Sequence, residues 1–356
     1  MDSPYENLPP RNFWRSGVVG HSPGVADDIY VAKFPIKRSY NVATAGSCFA
    51  QHIGSYLKRT GCNILDVEPP PPAMSDAIAR KYGYGIYSAR YGNIYTVRQL
   101  LQLVRECSGQ FTPNNWIWTK GDAFIDGLRP SVEPKGLTRP DEVVAHRAQH
   151  LAAVKLLFSR ADLLIFTMGL TEAWVDAPSG TVFPTAPGTL GGDFATSRCK
   201  FHNFTFREIY DDFIATREAL KAINPSLRFI LTVSPVPLTA TATKDHVLVA
   251  TMRSKATLRA VAGELSAELD DVDYFPSFEM VFGPQSMGTF FEPNLRSVRA
   301  NGVAQVMRVF LKAHGLRDAG DADPDAPARP VAAAETAQAF EDELVCEEVL
   351  LEAFAR

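Results

Sequence analysis

The chain has 356 residues, 46% hydrophobic and 21% charged, which suits one large or two modest globular domains and excludes a fibrous or wholly disordered protein. The net charge is −4, yet residues 318–356 hold eleven acidic residues against Arg329 and Arg356, so the other 317 residues carry +5. A mildly basic body suits an anionic small molecule and lacks the dense basic stripe of a nucleic-acid binder.

No apolar run approaches the ~20 residues of a membrane span. The N-terminal MDSPYENLPPRNFW has no basic stretch followed by an apolar one, so no secretory signal is read there. Five cysteines, Cys48, Cys62, Cys107, Cys199 and Cys346, are odd in number and scattered. That pattern favours reduced thiols and a cytoplasmic location over a disulfide framework or zinc site.

After an N-terminal arm (1–39), apolar runs predict buried parallel strands at 40–45, 63–67, 162–168, 227–233 and 272–275. Amphipathic stretches between them predict helices at 51–60, 97–107, 141–160, 205–223, 254–269 and 302–314. Strand–helix alternation implies right-handed crossovers and a three-layer α/β/α domain around a five-stranded parallel sheet. Two stretches, 69–135 and 173–204, are too long for connections and read as loop insertions over the carboxyl edge of the strands. Residues 318–333 are rich in Asp, Pro and Ala and read as an acidic linker. Beyond it, 334–356 read as an acidic helix on which Phe340, Leu344, Leu351 and Phe354 share a face for the body or for a partner. No internal repeat is visible, and both GxGxxG and GxxxxGK[ST] are absent.

In parallel sheets the site lies beyond the carboxyl ends of the strands. The first of these ends is Gly46-Ser47-Cys48, running straight into a helix. A serine there serves either as a helix cap or as a nucleophile beside backbone N–H groups that stabilise negative charge. Cys48 is the alternative nucleophile, because helix N-termini lower thiol pKa. The third strand ends in Gly169-Leu170-Thr171-Glu172 and the fifth in Pro276-Ser277-Phe278-Glu279. Glu172 or Glu279 could orient a histidine as in a triad. Of seven histidines, His21, His52 and His314 read as surface or packing residues. His146 and His150 have the i, i+4 spacing of zinc ligands but no visible third ligand. His202 and His246 fall in segments expected over the strand ends, with Asn203, Lys244 and Asp245 nearby.

The run GSCFA at 46–50 is the name-giving motif of the GSCFA family. Further segments, ARYGNIYTVRQLLQL, FTMGLTEAW, LTVSPVPLTATAT, HVLVAT, SKATLRAVAGEL and YFPSFE, extend the resemblance over about residues 4–311. That family resembles a branch of the SGNH/GDSL esterases and acyltransferases. The resemblance implies a flavodoxin-like strand order, with Ser47 as nucleophile. It also implies an oxyanion hole made by the Ser47 N–H, Gly92 and Asn93, with Thr171 standing where the superfamily has asparagine. The superfamily's Asp-x-x-His block is departed from: Asn294 and Ser297 hold those two places. An active enzyme would therefore import a base, for which His246 is expected and His202 is second. The function expected is that of an esterase or O-acyltransferase acting on a carbohydrate or small-molecule ester through a Ser47 acyl-enzyme. No cofactor is required, and acyl-CoA is a possible acyl donor. The alternatives are a binding protein that keeps the pocket without the Asp–His pair, and a scaffold acting through its acidic tail.

Overall fold

The computed structural model describes residues 3–316 together with 351, 353 and 354. The linker and acidic helix expected at 318–356 therefore lie outside the described residues, apart from those three. The central sheet has five strands: β1 (Asn41–Gly46), β2 (Asn63–Ile64), β3 (Leu163–Met168), β4 (Arg228–Val233) and β5 (Val272–Phe275). All pair in parallel in the order β2-β1-β3-β4-β5, the flavodoxin-like order. The register aligns Gly46 with Thr167, Thr167 with Thr232 and Thr232 with Phe275, so the carboxyl ends form one edge.

Alternation along the strands divides the core into two layers. Ala43, Ala45, Leu164, Phe166, Phe229 and Leu231 face one side. There they meet α2 (Val97–Cys107), α3 (Pro140–Arg160), α4 (Phe206–Ile223) and α5 (Val247–Glu268). Val42, Leu163, Ile165, Ile230 and Phe275 face the other. That side is covered by α1 (Ala50–Arg59), α6 (Ser277–Phe282), α7 (Ala300–Ala313) and the N-terminal arm. The arm is docked by specific bonds. The Tyr30 hydroxyl and the Lys33 N–H both donate to Asp273 Oδ2 at 2.8 Å, and Asp27 pairs with Arg308 and Lys312.

Both insertions contain antiparallel strands where the sequence suggested loops. One forms a hairpin, Ile117–Lys120 with Ala123–Asp126; the other joins Glu172–Asp176 to Val182–Phe183 and to Cys199–Asn203. Buried charge ties the hairpin to α3. Arg147 bridges Glu106 and Asp126, while Arg129 donates to Asp126 Oδ2 at 2.8 Å. Such networks cost desolvation and hold only when each charge is answered. Helix α5 begins seven residues before the expected start at 254, because Leu248, Val249 and Met252 are apolar yet exposed and hide the amphipathic pattern.

Burial drives three histidines, His52, His150 and His314, down to pKa values of about 4. The unfolded chain binds these protons near pH 6.5 and the folded chain only near 4. Their contribution to stability is therefore complete above pH 6.5 and is lost as pH falls toward 4. By pH 5 the loss should be roughly 2 kcal/mol for each histidine. Urea unfolding at pH 7 and pH 5 measures it, and equal stability at the two values would contradict the assignment.

Candidate active site around Ser47

Strand β1 ends on Gly46 with φ +132°, and a Cβ there would lie 2.3 Å from Thr167 O. Only glycine fits this approach. It lets the Ser47 N–H donate to Thr167 O at 3.0 Å before the chain turns into α1. The residue capping α1 is Phe49, and no side chain bonds the helix end. Ser47 is therefore not a cap. Its hydroxyl is buried and, among the described residues, has no hydrogen-bond partner. Leaving a buried hydroxyl unmet costs roughly 1–3 kcal/mol; the Thr167, Thr185 and Thr239 hydroxyls are unmet as well among the described residues, and of the four Ser47 is the one at a strand-to-helix turn.

Segment 92–95 forms the second wall. The Ile94 N–H donates to Gly46 O at 2.9 Å, and the Gly169 and Leu170 N–H groups donate to Tyr95 O at 2.9 and 3.2 Å. Gly92 makes the turn into this segment at φ +67°. Ser47, Gly92 and Asn93 thus share one corner between the ends of β1 and β3. Asn93 is buried, its amide oxygen accepting from the Tyr87 hydroxyl, which accepts from Gln51 Nε2 at 3.3 Å. This chain fixes which end of the Asn93 amide is oxygen and turns its NH₂ away from Tyr87 as a donor.

The third wall is the turn after β3. A Cβ on Gly169 would lie 3.1 Å from both Ser47 Cβ and Tyr95 Cδ1, so this glycine packs directly on the serine. The Thr171 hydroxyl donates to Asn203 Oδ1 at 2.6 Å. A hydroxyl has one proton, so in this arrangement Thr171 does not supply the oxyanion donor expected of it. The Ser47 N–H, held by Thr167 O, does not supply one either. Asn203 lies on a strand of the second insertion, and with its oxygen occupied it presents its NH₂ group.

Helix α5 holds this turn by two successive residues. Ser254 Oγ accepts from the Thr171 N–H at 3.0 Å, and the fully buried Lys255 donates from Nζ to Gly169 O at 2.5 Å. Sequence reading passed over Lys255. A signal was present: its spacing places it in line with Leu258, Ala262 and Leu265 on the buried stripe of the helix, where a lysine is out of place. Tyr95, Leu170, Leu238 and Ala250 form a small apolar cluster at the same edge, with Val247 packed against it.

No histidine hydrogen-bonds Ser47 among the described residues. His246 is exposed and is the N-terminal cap of α5, its Nδ1 accepting from the Leu248 N–H at 3.2 Å. Its accepting nitrogen, Nδ1, is engaged by the helix end. The geometry thus argues against the base role expected of His246. His202 Nε2 lies 2.8 Å from Glu208 Oε1, on a side chain 43% exposed. Glu172 orients neither ring. Burial raises its pKa, and it accepts from the Thr241 hydroxyl at 2.7 Å and the Ala242 N–H at 3.3 Å, tethering the loop before His246. Glu279 bonds Arg259 and the Tyr274 hydroxyl. His150 is buried against Glu68 at 2.7 Å, and His146 lies 3.9 Å from Glu133. No cluster of His, Cys, Asp and Glu fit for a metal occurs among the described residues. Asn294 and Ser297 hydrogen-bond each other at 3.0 Å in an exposed turn before α7.

An apolar cavity of about 370 Å³ opens between the N-terminal arm and α6, lined by Trp14, Met252, Phe278 and Phe282. It adjoins the end of β5, three strand spacings or about 14 Å from β1, and does not include Ser47.

The sequence pattern of the GSCFA family matches residues 41–310, well over half of the chain. The chain belongs to the GSCFA family. No curated protein matches it. In this GSCFA protein the name-giving run is the glycine-dependent turn that leaves the Ser47 hydroxyl unmet, followed by the first turn of α1. The capping geometry of His246 also has a measurable consequence. His246→Ala should lower stability to urea by at most about 1 kcal/mol, the scale of a lost cap, and leave serine reactivity within a few-fold. A hundredfold loss of reactivity in a folded variant would return the base role to His246.

Proposed function

We propose that the protein is an ester hydrolase or O-acyltransferase that works through an acyl-enzyme on Ser47. One observation carries the reading: the Ser47 hydroxyl is buried at a strand-to-helix turn, makes no hydrogen bond among the described residues and caps nothing. A cap would have been bonded, and a packing serine is ordinarily satisfied. The sequence resemblance to SGNH/GDSL esterases and acyltransferases, and the sheet order with Ser47 after the first strand, agree with it. Fold analogy alone would not establish chemistry.

In this reading Ser47 Oγ attacks the acyl carbon, and the oxyanion is assigned to the corner formed by Gly92 and Asn93. Asn203 serves the substrate side. The acyl acceptor is water or the hydroxyl of a carbohydrate or small molecule, and acyl-CoA is a suitable donor for transfer. No cofactor is needed. Among the described residues Cys62, Cys107 and Cys199 carry thiols outside any disulfide, which suits a reducing, cytoplasmic setting.

A serine-directed fluorophosphonate tests the reading without knowledge of the substrate. The wild type should gain one adduct by intact mass, and Ser47→Ala should gain none while keeping its melting temperature within a few degrees. No adduct on the wild type would favour a binding protein that retains the pocket. Labelling of both proteins would place the reactive group elsewhere.

A further inference from the structure

An acyl-enzyme on Ser47 requires a group that removes the hydroxyl proton, and among the described residues neither a histidine nor any other side chain hydrogen-bonds that hydroxyl, so the base must be sought among the groups packed next to it. The elements packed on the serine bring a different base. Gly169 touches Ser47 through its α-carbon, since a Cβ there would lie 3.1 Å from Ser47 Cβ, and its carbonyl accepts from Lys255 Nζ at 2.5 Å. One residue thus separates the nucleophile from a primary amine. Lys255 is 2% exposed and ranks among the largest fully buried side chains of the protein. Its backbone is fixed, because Ser254 beside it accepts from the Thr171 N–H of the same turn. A long charged side chain is almost never buried this deeply for packing alone.

We propose that Lys255 is the general base for Ser47, a serine–lysine arrangement in which the amine stands where related hydrolases use imidazole. The inference rests on the acyl-enzyme reading above. In the first step the neutral Lys255 amine takes the Ser47 proton as Oγ bonds to the acyl carbon, and the carbonyl electron pair moves onto oxygen. As the tetrahedral species collapses, the bond to the leaving oxygen or sulfur breaks, and that atom takes the proton back from the Lys255 ammonium. Water or an acceptor hydroxyl then repeats the two steps in reverse, restoring Ser47 and the neutral amine. Helix α5 thereby takes over what the Asp-x-x-His block would have supplied, which fits Asn294 and Ser297 bonding each other within their own turn.

The experiment measures the rate of fluorophosphonate labelling at Ser47 against pH for the wild type, Lys255→Met and Lys255→Arg, with folding checked by thermal melts. Removing a general base typically costs 10²–10⁴-fold, and that loss is expected in both variants. Arginine keeps the positive charge but does not deprotonate, so recovery of the wild-type rate in Lys255→Arg would reduce Lys255 to a structural cation and overturn the proposal. A folded Lys255→Met that labels as fast as wild type would overturn it too, while leaving the Ser47 reading intact. Failure of the wild type itself to label would instead remove the nucleophile, and this inference with it. Should neither variant fold, the wild-type profile decides. Its acid limb should move steeply with temperature, as amine ionisation does, and a limb with the temperature dependence of an imidazole or carboxylate, or no limb, contradicts Lys255.

Discussion

The site depends on the closeness of two strand ends. Gly46 passes so near Thr167 that a single added carbon would lie 2.3 Å from the Thr167 carbonyl oxygen, and this contact sets the direction in which Ser47 leaves the sheet. Because the Ser47 N–H continues the ladder to β3, the serine arrives at the edge with its backbone satisfied and its side chain not. The same contact brings Tyr95, Gly169 and, through Gly169, Lys255 to the serine. Ser47, Asn93 and Lys255 come from three distant parts of the chain, and the ends of β1 and β3 are where those parts meet.

The parallel sheet was legible because strands buried on both faces read as unbroken apolar runs. The runs at 162–168, 227–233 and 272–275 fall within a residue of β3, β4 and β5. The antiparallel pieces were not. Val182–Phe183 is two residues long, and Cys199–Asn203 mixes polar and aromatic side chains, so neither offers a period to read. The first two turns of α5 failed for another reason: Leu248, Val249 and Met252 point outward, and apolarity ceases to report the core there.

For the candidate site, the sequence pointed to residues at strand ends and did not point to Lys255, which a helix delivers sideways. Ser47 stands directly after a strand, and Gly92 and Asn93 open a turn, so each is marked by its position in the chain. Lys255 follows no strand, and its only mark is one lysine on an apolar helical stripe. Histidine chemistry drew attention to His246 and His202, yet a ring in a polar loop has many ways to be satisfied. His246 finds a helix end and His202 a glutamate. Thr171 shows the same limit, since whether its hydroxyl proton is available depends on Asn203, thirty-two residues away.

If the unmet hydroxyl of Ser47 is the reactive group, the acyl intermediate itself should be isolable. Rapid acid quench after mixing with an activated aryl ester, followed by digestion and mass spectrometry, measures it directly. The account predicts the acyl group on the peptide containing residues 46–50, attached to Ser47 and forming within the first turnover. Ester cleavage with no acylated peptide, or an acyl group carried by Cys48 alone, would contradict it.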